Sequence, residues 1–168
     1  SLPTPEPTNV SFLTLAADPS GVLTDLLLTG TYPALPWMAY LLAGMAVGRI
    51  RLHRAVSVVL AFGGAALAAA ASVGSSLAMN QLGGLEAIAA VAQQTMSLSE
   101  FSSLLVWGAD GTLPTTSWWW LAVLAPHTTT PFDLLFTLGV ALAVLGVSLM
   151  AGFVTPDLVK PLAVMGSM

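Results

Sequence analysis

Three long stretches of the sequence are apolar and almost free of charge. Residues 55–79 and 134–155 contain no charged side chain, and residues 33–50 contain one, Arg49. A helix needs about 20 predominantly apolar residues to cross a bilayer. Each stretch therefore predicts a transmembrane helix. The shortest of them, 33–50, would be about 27 Å long at about 1.5 Å per residue, which allows little tilt.

Composition supports this prediction and excludes other classes of protein. Charged residues make up 7% of the chain, whereas soluble domains have about 25%. Four basic residues are too few to neutralise nucleic-acid phosphates, so we expect no nucleic-acid partner. With no cysteine and two histidines, the chain also predicts no metal site. The fold class that follows is all-α: a polytopic integral membrane protein with about three transmembrane helices plus short interfacial helices.

The distribution of basic residues predicts how the spans are oriented. All four lie on the same side of the three predicted spans: Arg49, Arg51, Arg54 and Lys160. Cytoplasmic loops are enriched in Lys and Arg, so residues 51–54 are expected to form a cytoplasmic basic loop. Residues 156–168 would be either a cytoplasmic tail or the start of a further helix. Residues 1–32 and 80–133 are then expected outside the cytoplasm.

The two outer segments are expected to contain short helices. Residues 1–32 include one. Residues 80–133 are too long for an unstructured loop and predict three: 84–94, 98–107 and 116–125. Ser97 and Glu100 form a capping-box pattern at the start of the second. The third carries adjacent tryptophans at 118–120 that cannot all face one side of a helix, so some are expected to contact lipid headgroups and others protein.

The most unusual polar stretch is 126–133, with the sequence PHTTTPFD, at the start of the third predicted span. A neutral His127 can take a proton from a hydroxyl or amine near neutral pH, and a carboxylate such as Asp133 can orient it. The alternative is structural. Thr130 or Asp133 would cap the span and His127 would be an interfacial polar residue, because helix N-termini favour these residue types.

Two further groups of residues allow both a functional and a structural interpretation. Asp25 and Tyr32 form a candidate pair near the outer end of the first span, or else a solvated carboxylate and an interface tyrosine. Arg49, Arg51 and Arg54 could hold an anionic cofactor or a lipid headgroup. They could equally serve only as topology signals.

Part of the sequence resembles a family of bacterial multi-pass membrane proteins that is similar to heparan-alpha-glucosaminide N-acetyltransferase. The resemblance is to the later half of such proteins, and four stretches carry it: 28–37, 42–49, 126–133 and 161–168. The third is similar to the family signature PHSGTPFD, with Thr128 and Thr129 in place of Ser and Gly. The fourth resembles the start of the next helix in the family.

The resemblance implies membrane-embedded acyl transfer in the bacterial plasma membrane. An acyl-CoA would donate an acyl group, typically acetyl, at the cytoplasmic side, and a glycan or lipid would accept it outside. The implied site draws on the polar and aromatic positions near both membrane faces. Its members are catalytic His127 and Asp133, substrate-binding Tyr32, Trp37 and Thr130, and donor-binding Arg49, Arg51 and Arg54.

The chain is expected to depend on partners. Residues 55–79 are rich in Ala, Gly and Ser, which let helices approach closely in lipid. Together with an apolar last segment, this indicates part of a larger multi-pass protein, or a processed product. The expected partners are lipids and the missing transmembrane helices of the same protein or of a partner subunit. The chain alone would be inactive. The alternative function is a non-catalytic membrane module, either a carrier of lipid or glycan precursors or a scaffold subunit of a cell-envelope complex.

Overall fold

A computed structural model describes residues 12–29, 33–108 and 113–154. These residues are 79% helical and contain no strand, so the all-α prediction is confirmed for them. A π turn, Asp25–Thr29, follows the second helix, and a 3₁₀ helix, Trp118–Ala122, precedes the last. The α-helices are α1 (Phe12–Ala17), α2 (Pro19–Thr24), α3 (Ala34–Gly48), α4 (Arg54–Asn80), α5 (Gly84–Ala92), α6 (Leu98–Trp107) and α7 (Pro131–Val154).

Two of the described helices are long and apolar enough to cross a membrane: α4 with 27 residues and α7 with 24. Only 28% of the most apolar window of α4 is buried, and only 11% of that of α7, whereas the core helix of a soluble protein is mostly buried. Helix α3 has 15 residues, which is about 22 Å at about 1.5 Å per residue. It is shorter than the predicted span 33–50 because Pro33 is extended and the helix ends at Gly48. A third span therefore stays a prediction.

Small residues bring α4 and α7 into close antiparallel contact. A Cβ atom built on Gly139 would lie 2.6 Å from the backbone nitrogen of Ala68, and one built on Gly146 would lie 2.7 Å from the Cα atom of Ala61. Residue numbers rise along α4 as they fall along α7, so the helices are antiparallel. The buried positions of α4 recur every three or four residues: Ser57, Ala61, Gly64, Ala68, Ala71, Ser75 and Met79. This interval is typical of helices that cross at about 20°.

The described residues between α4 and α7, which we call the cap, pack around one end of this helix pair, the cap end. The cap has its own hydrophobic core with the end of α4: Met79, Ile88, Trp120, Ala122, Val123 and Ala125. The rings of Phe101 and Trp120 meet edge to face with centroids 6.3 Å apart. The opposite end, where α4 begins and α7 ends, carries the arginines, and we call it the basic end.

Local hydrogen bonds determine where the cap helices begin. The backbone N–H of Ser97 donates to Oε2 of Glu100 over 2.7 Å, and the N–H of Glu100 donates to the Ser97 hydroxyl over 3.3 Å. The predicted capping box at the start of α6 is therefore confirmed. The helix predicted over 116–125 is instead a five-residue 3₁₀ helix, because the chain becomes extended at Val123.

Candidate functional site

Three side-chain hydroxyl groups determine the path of the chain into α7. Each donates a hydrogen bond to a backbone carbonyl oxygen, and their residues are all buried. The pairs are Ser75 with Ala122 (2.6 Å), Thr130 with Val123 (2.7 Å) and Thr128 with Ala125 (2.7 Å). Buried carbonyl groups need such partners. The chain from Ala122 to Thr130 is therefore attached to α4 through Ser75, and Thr128 and Thr130 bond to earlier residues of the same stretch.

The N-terminus of α7 is capped by the polar residues of the PHTTTPFD stretch. Pro131 is its first residue, where a missing N–H costs little. The hydroxyl oxygen of Thr130 accepts the backbone N–H of Asp133 over 3.1 Å. The carboxylate of Asp133 accepts the backbone N–H of Thr129 over 3.1 Å and the hydroxyl of Thr137 over 3.3 Å. Thr130 thus caps α7, in agreement with the structural alternative, whereas Asp133 holds the backbone of Thr129 just before the helix.

Two residues of this segment adopt left-handed backbone conformations. The φ angle is 60° at His127 and 52° at Thr129. This region is uncommon for residues other than glycine and is a genuine outlier for a β-branched residue such as threonine. Strain of this kind costs about 1–3 kcal/mol and persists only where the surrounding structure determines it. A glycine at the position of Thr129 would adopt this conformation without strain.

A glycine at the end of α6 supports this segment, which we call the His127 loop (residues 126–130). Gly108 has a φ angle of 87°, and a Cβ atom there would collide with the carbonyl oxygen of Pro126. The backbone of α6 therefore ends in direct contact with the loop. Together with the hydrogen bonds of Thr130 and Asp133 and the buried hydroxyl groups, this contact holds the left-handed residues in place.

His127 and Asp133 have different environments. The His127 side chain is exposed, whereas Asp133 is 8% exposed and turned towards its hydrogen bond with Thr129. Within the described residues, no hydrogen bond joins the imidazole to the carboxylate. Thr130 and Asp133 are brought together at the helix N-terminus. The catalytic pairing of His127 with Asp133 stays a prediction.

Two residues that were not predicted as site members lie beside Asp133. Thr137 follows it by one helical turn, a spacing that places both side chains on one face. Tyr40 in α3 lies near Thr137 and within electrostatic range of Asp133. Thr137 was detectable from its spacing, but the position of Tyr40 depends on how α3 packs.

The predicted substrate-binding aromatic residues are only partly visible. Trp37 is half exposed, and its ring meets that of Tyr40 edge to face at 6.1 Å between centroids. Trp37 therefore lies beside Tyr40, which in turn is close to Thr137. Tyr32, and with it the proposed pairing to Asp25, lies outside the described residues.

The three arginines at the basic end do not share one environment. All are exposed. Arg54 donates from Nη2 to the carbonyl oxygen of Phe153, over 3.4 Å, at the last turn of α7. A cation at a helix C-terminus also interacts favourably with the helix dipole. Arg49 is the C-cap of α3, and Arg51 lies in the link between α3 and α4. Arg54 therefore has a structural role in joining the two long helices.

No protein-family model, curated protein or solved structure matches this chain. Within residues 12–29, 33–108 and 113–154, no group of three or more His, Asp or Glu side chains is placed to hold a metal ion. The site is therefore described by its own geometry: an exposed imidazole on a strained loop, hydrogen-bonded through Thr128, Thr129 and Thr130, at one end of a tightly packed helix pair.

Proposed function

We propose that this chain is the later part of a membrane-embedded acyltransferase. Helices α3, α4 and α7 are its three spans, the basic end faces the cytoplasm of a bacterium, and the cap faces outwards. The placement of all four basic residues on one side supports this orientation. The low burial of α4 and α7 supports contact with lipid and with further helices. The acyl transfer itself is proposed from the family resemblance.

The observation that most supports a role in chemistry is the conformation of the His127 loop. Two non-glycine residues, His127 and Thr129, have left-handed conformations. The carboxylate of Asp133 holds the backbone of Thr129, and the imidazole of His127 stays exposed. Strained backbone of this kind clusters at active sites and ligand-binding segments. An exposed imidazole on a rigid loop is suited to act as a general base towards a substrate that approaches from outside.

The two ends of the helix pair are too far apart to act on one substrate atom. The part of α4 from Arg54 to Ser75 is about 33 Å long at about 1.5 Å per residue. The basic end would therefore bind the phosphates of the acyl-CoA donor, with Arg49 and Arg51 available because Arg54 also holds α7. A nucleophilic group of the complete protein, the carrier, would form a bond to the acyl carbon, and CoA would leave as its thiol with the proton of that group. The carrier would then present the acyl group at the cap end.

At the cap end, His127 would take the proton of the acceptor hydroxyl or amine. The acceptor oxygen or nitrogen forms the bond to the acyl carbon, and the bond from that carbon to its carrier breaks. The carrier leaves with the electron pair and receives the proton from His127. Asp133 would contribute by holding the backbone of Thr129, and so the loop, rather than by orienting the imidazole directly.

The test is acyl transfer by the complete protein in membrane vesicles that contain labelled acetyl-CoA. A His127→Asn variant removes the base, and asparagine tolerates the left-handed conformation that the loop requires. Loss of a general base lowers the rate by about 10²- to 10⁴-fold, and we expect a loss of that size. A matched control is His53→Ala, which changes the histidine at the basic end and should retain the rate.

A non-catalytic membrane module is the second candidate. Its specific support is that Thr130 caps α7 and Asp133 holds the backbone of Thr129, so both have structural roles, and that His127 lacks a hydrogen bond to the carboxylate. Unchanged transfer in the His127→Asn variant, at normal expression, would contradict the proposed role of His127 and favour this second function.

A further inference from the structure

The 3₁₀ helix Trp118–Ala122 lies beside α4 rather than beyond its end. Ser75 donates to the carbonyl oxygen of Ala122 over 2.6 Å, although α4 continues to Asn80. Phe132, at the start of α7, lies against Gly74. Ser75 is therefore level with the first turn of α7, at the cap end of the region that the two long helices share.

The length of this shared region gives the depth of the 3₁₀ helix in a bilayer. From Arg54 to Ser75 it measures about 33 Å at about 1.5 Å per residue. The hydrocarbon core of a bilayer is about 30 Å thick, and headgroups add about 5–8 Å on each side. With the shared region centred in the hydrocarbon core, the Ser75–Ala122 hydrogen bond lies at the edge of that core.

The backbone of this segment is suited to such a depth. Irregular backbone is tolerated near the hydrocarbon only where its polar groups are satisfied by protein. The carbonyl oxygens of Ala122, Val123 and Ala125 each accept a side-chain hydroxyl. Within the described part of the chain, no buried side-chain nitrogen or oxygen lacks a hydrogen-bond partner.

The adjacent tryptophans have opposite environments. Trp118 is 83% exposed and Trp120 is 2% exposed. A 3₁₀ helix rises about 2 Å per residue, so Trp118 is at most about 8 Å from the level of Ala122. Because Ala122 lies at the edge of the hydrocarbon core, this distance is comparable to the thickness of the headgroup layer, about 5–8 Å. Between Glu100 and Asp133 the sequence has one charged residue, Asp110, so little in this segment favours exposure to bulk water.

We infer that Trp118 is an anchor that inserts into the lipid headgroup layer at the cap end of the molecule. Tryptophan is enriched at this interface because its ring is apolar and its N–H is polar. The anchor would hold the 3₁₀ helix, and through Ala122 and Val123 the His127 loop, at a constant depth. The inference rests on the proposed membrane placement and is independent of acyl transfer.

The experiment uses the full chain in phosphatidylcholine vesicles whose lipids carry bromine near the headgroup end of the acyl chain. Bromine quenches the fluorescence of tryptophans that touch these lipids, and iodide in the buffer quenches those that touch water. We expect Trp118→Phe to remove a component of the fluorescence that brominated lipid quenches and iodide does not. The matched control, Trp120→Phe, should remove a component that neither quenches strongly, since Trp120 is buried.

The other outcomes contradict the inference at distinct points. If Trp118→Phe removes a component that iodide quenches and brominated lipid does not, Trp118 faces water and the inference is wrong, although the membrane placement stands. If the chain fails to float with vesicles on a density gradient, both the membrane placement and the inference are wrong. Flotation is measured on the unsubstituted chain, so that result does not depend on whether either variant folds.

Discussion

Gly63 and Gly64 are adjacent in α4 but face different surroundings, and this difference predicts different effects of the same substitution on stability. A Cβ atom at Gly63 would meet nothing within 4 Å. At Gly64 it would lie 2.6 Å from the carbonyl oxygen of Gly139 and 3.0 Å from the Cα atom of Ala143. Ordinary contacts begin at 3.4 Å. The Gly64→Ala substitution therefore requires α4 and α7 to separate by about 1 Å, because backbone atoms cannot rotate away as a flexible side chain can.

The difference between the two variants isolates the cost of this separation. Both gain the same helix propensity when glycine becomes alanine, about 1 kcal/mol. Overpacking of a tight contact costs about 1–3 kcal/mol. We therefore expect Gly63→Ala to be as stable as the unsubstituted chain or more stable, and Gly64→Ala to be less stable than Gly63→Ala by about 1–3 kcal/mol.

The assay is thermal unfolding of the two variants in the same detergent, followed by circular dichroism in the helical band. A free-energy difference of 1 kcal/mol shifts the Tm of a chain of this size by about 2–4 °C. We expect the Tm of Gly64→Ala to lie about 2–12 °C below that of Gly63→Ala. Equal Tm values, or a higher Tm for Gly64→Ala, would show that α4 and α7 do not meet through Gly64.

Two further predictions concern the loop and the cap. Thr129→Gly should stabilise the chain by about 1 kcal/mol, since glycine adopts the left-handed conformation without strain. The matched control, Thr128→Gly, should destabilise the chain because a buried hydroxyl is lost. A lower Tm for Thr129→Gly than for the unsubstituted chain would contradict the strain argument. Hydrogen bonds from the backbone N–H and hydroxyl of Ser97 lower the pKa of Glu100. The stabilisation of α6 is therefore complete above the ordinary glutamate pKa and is lost as pH falls through the lowered pKa. Helicity measured during acid titration should show this loss in the unsubstituted chain and not in Glu100→Gln. Identical titration curves for the two chains would contradict the prediction.

The features that the sequence predicted correctly depend on residues that are close along the chain. The Ser97–Glu100 capping box joins positions three apart, and so does the hydrogen bond from the backbone of Asp133 to Thr130. The interactions that were not predicted join distant segments. Ser75 and Ala122 are 47 residues apart, and Tyr40 and Thr137, which lie near each other, belong to two separate helices. No sequence periodicity specifies which carbonyl oxygen a serine hydroxyl will reach after the helices pack.

The same distinction applies to the candidate site. The sequence brought His127, Thr130 and Asp133 together because they lie within eight residues of one another. It did not reveal that two residues of the loop take left-handed conformations, or that Asp133 turns towards Thr129 and leaves His127 exposed. Side-chain direction in a loop depends on the backbone conformation that its neighbours impose, and here these neighbours include Gly108 at the end of α6.

The sequence by itself determined the helical class of the described residues, the two apolar stretches long enough to span a membrane, and the start of α6, because apolar length and capping hydrogen bonds are local properties. Only the tertiary structure decided that Gly64 faces α7 while Gly63 faces outwards, that Arg54 reaches the last turn of α7, and that the Trp118–Ala122 helix lies beside α4. These outcomes depend on the rotation and offset of one helix against another. Both are set by the close backbone contacts of Gly139 and Gly146 with α4, which exist only when the two helices have packed.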